Sequence, residues 1–395
     1  MRQLFLLSLF ILTAFQAAAT TVTFTNPTSL QRHEVVEMTL ADLPQQPFVV
    51  YDAFGIEQPY QLTYDGKLLL FVSVRPHGTA TYTLRQGSPS PMKPWVFTKM
   101  YPERLDDIII ENDRTGFRFY GPALQRSGER GYGIDVWLKN TPELIVDSLY
   151  RLHFSRYPEI EQFRKQKRFR EADSLSTLTS FHLNHGFGMD CYNVGPTLGC
   201  GTPALMHDGQ LLFPWCYDTF RVLDNGPLRI TLELAFAPVQ HADLPAVVEH
   251  RLVTLDRGFN FARMQVWYDG LQQPTDVCAG FVIHEADTTS LVLADNYIHY
   301  ADPTGDADRH NCQIYVATLF PDGIDETKRL MYDTPKNGNA GHAIGIHHAL
   351  NAQERFTYYY GAAWSQYDVR SQAEWQLRIA DFIAARQQPL TVSIQ

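Results

Sequence analysis

Residues 228–236 read LRITLELAF: Leu228, Ile230, Leu232, Leu234 and Phe236 alternate with Arg229, Thr231, Glu233 and Ala235. A period of two places the five apolar residues on one face of a strand, whereas a helix would scatter them around its axis. The same pattern continues outward. Val247–Leu255, Phe261–Tyr268, Ala279–Ala286 and Ser290–Asp295 follow it, then Gln313–Phe320, Gly341–His348 and Phe356–Ala363. Upstream, Thr21–Phe24, Glu34–Leu40, Phe48–Asp52, Lys67–Val74 and Ala80–Arg85 are short β-branched or aromatic runs separated by Pro, Gly and Asp. Asp107–Asn112 and Thr115–Tyr120 read as a hairpin turning at Asp113-Arg114. Helix signals are few: one helix over Tyr157–Leu178, with alternating charge, and another over Gln372–Arg386. Many antiparallel strands with few helices predict a mainly β protein built as an antiparallel supersandwich.

The first 19 residues read as a signal peptide: Arg2, an apolar run from Leu4 to Phe15, and the small residues Ala17-Ala18-Ala19. That run is shorter than the roughly 20 residues a membrane span needs. With no lipid-accepting cysteine beside the cleavage point, the expectation is a periplasmic or secreted protein without membrane insertion. Residues 20–395 read as one large domain, with 20–90, ending near the SPSPMKP stretch, as an N-terminal sub-sheet. A net charge of −10 argues against a nucleic-acid partner, because phosphate contacts need a basic face. It does not exclude an acidic ligand held by a local arginine cluster. The five cysteines show no CxxC, so buried free thiols are expected, with a Cys191–Cys200 bridge as the alternative.

Chemistry concentrates in Ser180–Ala204, SFHLNHGFGMDCYNVGPTLGCGTPA. Its glycines allow positive φ and close backbone approach. His182, His185, Asp190 and Tyr192 between them can titrate, bind a metal or donate hydrogen bonds. Three readings stand for the histidines and Asp190: a divalent-metal site, direct sugar contact or acid–base work, and structural hydrogen bonding. Trp137, Tyr120, Trp215, Trp364 and Tyr359 are candidate platforms for stacking a sugar ring, Trp364 being preferred. The Asp302–Asp308 run (DPTGDAD) could hold calcium, although a surface turn is the simpler reading.

The stretches NDRTGFRFYGPAL (Asn112–Leu124), GIDVWLKNTPELIVDSLY (Gly133–Tyr150), the His182–Gly201 segment and GAAWS (Gly361–Ser365) resemble the family called domain of unknown function 4861. The resemblance implies a galactose mutarotase-like supersandwich and a role beside pectin-degrading enzymes of the bacterial periplasm. The chain departs from the commoner pattern at Phe187, where an acidic residue is expected.

On this basis the leading expectation is an enzyme acting on acidic, uronic-acid-containing oligosaccharides by β-elimination or glycosidic cleavage. His182, His185 and Tyr192 would exchange protons. Asp190 would orient a histidine or bind metal, and Arg114 and Arg118 would hold the substrate carboxylate. Spacing i, i+4 places both arginines on one strand face, and a buried Arg118 would need Asp135 or Asp190 as partner. Two alternatives remain: a mutarotase or epimerase using His284 or His348 with Glu285, and a non-catalytic binding protein using Trp364 and Trp137.

Overall fold

The computed structural model describes residues 19–39, 47–213, 215–238, 240, 245–303, 311–336 and 338–395. The alternating segment forms the strand Arg229–Ala235, second in an eight-stranded antiparallel sheet between Thr219–Gly226 and Val248–Asp256. Ile230, Leu232 and Leu234 are fully buried, as their period requires. Phe261–Asp269, Phe356–Trp364, Ile314–Leu319, Tyr297–Asp302 and Val292–Leu293 complete the sheet.

Two five-stranded sheets supply the opposing layer. One has the order Gln210–Leu212, Cys200–His207, Thr275–Ile283, Asn339–Leu350, Glu326–Lys336. The other runs Gly188–Met189, Asp135–Lys139, Gly116–Phe119, Asp107–Asn112, Val96–Tyr101. They join where Ile134 pairs with Gly199 and the Cys200 amide donates to the Ile134 carbonyl at 2.7 Å. One core takes side chains from all three sheets, among them Ile110, Phe117, Val136, Leu232, Phe281 and Tyr360. At ~1.5–3 kcal/mol for each large buried apolar side chain, this core dominates the stability of the layer. The fold is the expected mainly β antiparallel supersandwich.

The N-terminal strands form a second, smaller sandwich. Thr20–Thr25, Thr79–Gln86, Phe48–Tyr51 and Glu57–Gln58 make one sheet, and Arg32–Thr39, Lys67–Val74 and Tyr60–Leu62 the other. Val22, Phe24 and Leu84 meet Leu68, Leu70 and Val72 in a separate core. The last strand, Thr391–Ile394, returns to pair with Thr20–Thr25, so both ends of the described chain lie in this sandwich. The preceding helix, Gln372–Gln387, is N-capped by Ser371, whose hydroxyl accepts from the Glu374 amide at 3.2 Å. It packs Trp375, Ile379 and Ile383 on the eight-stranded sheet.

Several expectations change. The stretch 157–178 is not one helix but parts of two, Val146–Lys165 and Phe169–Thr179, separated where Lys167 takes φ 61°. The first begins well before Tyr157 because Val146, Leu149 and Tyr150 are buried; alternating charge marked only the exposed part. The edge strand Glu326–Lys336, polar and charged, offered no apolar alternation to read. All five cysteines are free, so the Cys191–Cys200 bridge is absent. Among the described residues no helix is long and apolar enough to cross a membrane. Residues 1–18 of the expected signal peptide, and 304–308 of the expected calcium turn, lie outside the described residues.

Candidate functional site

The site grows from the hairpin sheet. In Asp107–Asn112, Gly116–Phe119 and Asp135–Lys139, Ile108, Ile110, Phe117, Phe119, Val136 and Leu138 enter the main core. Alternation therefore turns Asp107, Ile109, Glu111, Arg118, Asp135, Trp137 and Lys139 to the opposite face. The helix Val146–Lys165 covers that face, with Tyr150 and Leu149 packed near Trp137 and Ile109. Its N-terminus is held by Glu111, whose carboxylate accepts from the Ile145 and Val146 amides at 2.7 and 3.1 Å. Negative charge is favoured there by the exposed amides of the first turn. Lys139 balances Glu111 at 2.8 Å, both side chains fully buried.

Arg118 lies at the centre of the polar part of this layer, 3% exposed. It pairs with the Asp135 carboxylate and reaches Asp190 at 2.8 Å and Asp107 at 3.8 Å. Tyr150 and Tyr120 accept from its guanidinium at 3.2 Å each, and Tyr120 donates onward to Asp135 at 2.7 Å. Three buried carboxylates thus surround one arginine, with Arg104 3.9 Å from Asp107. Burial pushes the Asp190 carboxyl up to about 7; Arg118 pulls it down and Asp135 repels it. Asp107 is likewise raised to about 7, burial again outweighing the pull of Arg118.

The glycine-rich segment docks His182 onto this cluster. Two of its glycines, Gly188 and Gly199, meet neighbouring backbone, Gly201 meets the Tyr360 side chain, and Gly186 faces open space. A Cβ at Gly188 (φ +146°) would lie 2.0 Å from the Leu138 oxygen, and one at Gly199 (φ +56°) would lie 2.2 Å from the Ile134 oxygen. With the segment seated this way, His182 Nδ1 lies 2.9 Å from the Asp190 carbonyl oxygen and 3.6 Å from its carboxylate. A carbonyl can only accept, so Nδ1 carries the proton and Nε2 keeps its lone pair. Nε2 has no hydrogen-bond partner among the described residues. Burial holds the imidazole below its ordinary pKa of 6.5, and Arg118 adds to the effect. Even so, its side chain is 55% exposed. His185, also exposed, is fixed in the other tautomer, with Nε2 2.9 Å from the Ser180 carbonyl. Together the pieces make a neutral, accessible base backed by a buried acid.

Other expected site residues lie elsewhere. Tyr192 is buried, donates to the Gly199 carbonyl at 3.1 Å and packs edge-on to His284, so it does not face solvent with His182. Trp137 is fully buried among Tyr150 and Phe181, and Trp364 is 3% exposed with Nε1 donating to Asn311; neither can stack a sugar. Of the aromatic candidates, Trp215 is the exposed one, 5.6 Å from Tyr132. Arg118 did find both expected partners, but they occupy it, which removes it as a receptor for a substrate carboxylate. Arg114 does not share its face. It precedes the strand, in the turn, and pairs with Asp368. Asp190 turns its carboxylate toward Arg118, so a His182–His185–Asp190 metal site does not form. No group of three metal-ligating side chains occurs among the described residues.

Of the two mutarotase pairings, His348 with Glu285 is separated, whereas His284 adjoins Glu285 but has both ring nitrogens engaged elsewhere. His284 follows Ile283 at one end of Thr275–Ile283, while His348 bonds Asp276 at the other, about 25 Å along the strand. His284 Nδ1 meets the Asp302 carboxylate at 2.8 Å and Nε2 the Asn193 carbonyl at 2.7 Å, so both nitrogens donate. The ring is a buried cation, its pKa raised by Asp302 and Asn193 against the opposing effect of burial. Sequence reasoning overlooked Asp107 and Tyr150. An acid directly before Ile108-Ile109-Ile110, on the same strand face as Glu111, was the signal for the first.

The fold and site define a supersandwich protein with an arginine–carboxylate cluster under an exposed histidine. The chain belongs to the family described as Domain of unknown function (DUF4861), which matches residues 24–392. A protein of Formosa agariphila, named "Uncharacterized protein P7", is 25% identical over 313 residues, covering 76% of this chain and 70% of that one. Among solved structures, an alpha-mannosidase from Enterococcus faecalis V583 matches 95% of this chain with a TM-score of 0.50 at 10% identity. A glycosyl hydrolase family 38 protein from Enterococcus faecalis matches equally well, at 0.50 and 10% over 95% of this chain. This chain corresponds to 46% and 47% of their lengths, so the likeness is one of fold.

Proposed function

We propose that this is an exported carbohydrate-active enzyme that moves a proton on an acidic oligosaccharide, with His182 as the base. The observation that carries this reading is the His182 ring: Nδ1 fixed to the Asp190 carbonyl at 2.9 Å, Nε2 unprotonated, exposed and unpartnered among the described residues. Abstraction of the proton α to a uronate carboxylate suits such a group. Nε2 takes the C5 proton, a C4–C5 double bond forms, and the C4–O bond breaks. The leaving oxygen carries away the electron pair and takes a proton from solvent. Because Asp190 and Asp107 titrate near neutrality, the cluster does not present three full negative charges to an anionic substrate. Likeness in fold to glycosyl hydrolases supports a carbohydrate substrate. The uronate class and the pectin-like source rest on the family resemblance, and export rests on residues 1–19.

The test is product analysis on pectin and rhamnogalacturonan oligosaccharides. Elimination gives shorter products carrying unsaturated-uronide absorbance. Saturated fragments whose summed mass exceeds the substrate by one water per bond cleaved would mean hydrolysis instead, and a bound substrate left intact would defeat both.

A second reading, non-catalytic sugar binding, draws on the exposed Trp215 beside Tyr132, with Arg130 5.9 Å from the indole ring. If that platform holds the ligand, Trp215→Ala weakens oligosaccharide binding by about tenfold or more, given ~1–3 kcal/mol for a stacked aromatic. Titration calorimetry decides, and unchanged affinity removes the platform.

A further inference from the structure

A cleft of about 260 Å³ lies where the N-terminal sandwich meets the main one, bounded by Leu30–Glu34, the 258–261 turn and the C-terminal helix. That is just below the ~300–1,000 Å³ range of small-molecule pockets. Arg114 and Arg378 both enter it, and both bond the same Asp368 carboxylate oxygen, Arg378 at 2.8 Å. Two guanidinium groups thus share one carboxylate by direct hydrogen bond, while Asp381, Glu374 and Asp113 act on them only through space. Arg114 Nε is buried and has no hydrogen-bond partner. Across the cleft, Arg32 is engaged by Glu34 and by the Ala385 and Gln388 carbonyls at the end of the helix. Much of the remaining wall is apolar, from Leu30, Phe259, Phe261, Phe382 and Ala385.

We infer that this cleft is a binding site for a carboxylate-bearing sugar ring, its anion held by Arg114 and Arg378 and its C–H face against Phe259 and Phe382. Guanidinium forks match a carboxylate in two parallel hydrogen bonds, and an aromatic wall favours a ring over a bare ion. Burial holds both arginines below their ordinary pKa, and Arg378 adds repulsion at Arg114, against the opposing pull of Asp113 on Arg114 and of Asp381 and Glu374 on Arg378. The site shares no residue with the His182 cluster. Its standing does not depend on catalysis there.

Titration calorimetry with tri-galacturonate tests it, with neutral galactotriose and inorganic sulfate as controls. The expected results are binding of the uronate, none of the neutral sugar, and at least tenfold weaker affinity in Arg114→Gln. Asp381, an exposed acid in the cleft lining, opposes the ligand, so Asp381→Asn should bind severalfold tighter and serves if Arg114→Gln melts early. All titrations are run in a His182→Gln background, where the proposed elimination is lost, so that binding alone is read and the Arg114 and Asp381 variants report on the cleft. Equal affinity of all variants, or equal binding of galactotriose, overturns the inference. Sulfate competing as strongly as the uronate removes the sugar and leaves a simple anion site.

Discussion

A histidine is a useful base only if one nitrogen is fixed and the other is free, and His182 meets both conditions. The Asp190 carbonyl sets its tautomer, and burial with nearby Arg118 keeps it neutral. The account therefore predicts that kcat/KM rises with pH through a midpoint below 6.5, measured on oligogalacturonates; a midpoint above that value would remove His182 as the base. Asp190 gives a stability prediction with a definite sign. Its folded pKa of about 7 stands above the ordinary 3.8, so between those values the folded chain holds a proton that the unfolded chain has released. Its contribution is complete below about 4 and is lost as pH rises through 7. Asp190→Asn should therefore gain melting temperature relative to the wild type on going from about pH 5 to pH 8, by differential scanning calorimetry. A constant difference across that interval would contradict the assigned shift. The sequence displayed His182 and Asp190 as neighbours of glycine. It could not display the tautomer, because that depends on a backbone carbonyl reached only when the segment folds back.

Among the elements, the stretches 133–150 and 182–201 serve largely to seat one helix and one loop. Lys139 and Glu111 form a fully buried pair whose carboxylate also anchors the first turn of Val146–Lys165. Lys139→Met leaves Glu111 buried without its counter-charge, and urea unfolding should show a loss of about 3–5 kcal/mol. A change under 1 kcal/mol would mean that the helix amides alone satisfy Glu111. Strands with one buried face, such as Arg229–Ala235, were legible because burial imposes period two. Trp137 and Trp364 were misjudged because a tryptophan in a strand carries the same letter whether it faces solvent or a covering helix. Arg114 and Arg118 were separated by the start of the strand: the period-two rule holds from Gly116 onward and does not reach back into the turn.

For the molecule as a whole, the supersandwich provides two distinct chemical surfaces. The outer face of the hairpin sheet carries the His182 cluster, while the junction with the N-terminal sandwich carries the Arg114–Arg378 cleft. Strand alternation announced the β architecture, and composition a net acidic balance. Neither could announce the junction, which forms only because Thr391–Ile394 returns to Thr20–Thr25 and sets the C-terminal helix beside Arg32. The most direct measurement of the central claim is turnover of tri-galacturonate by wild type and His182→Gln, with melting temperature recorded for both. The account predicts a loss of about 10²–10⁴-fold, the range for removal of a general base, at unchanged melting temperature. Wild-type turnover in His182→Gln would contradict it.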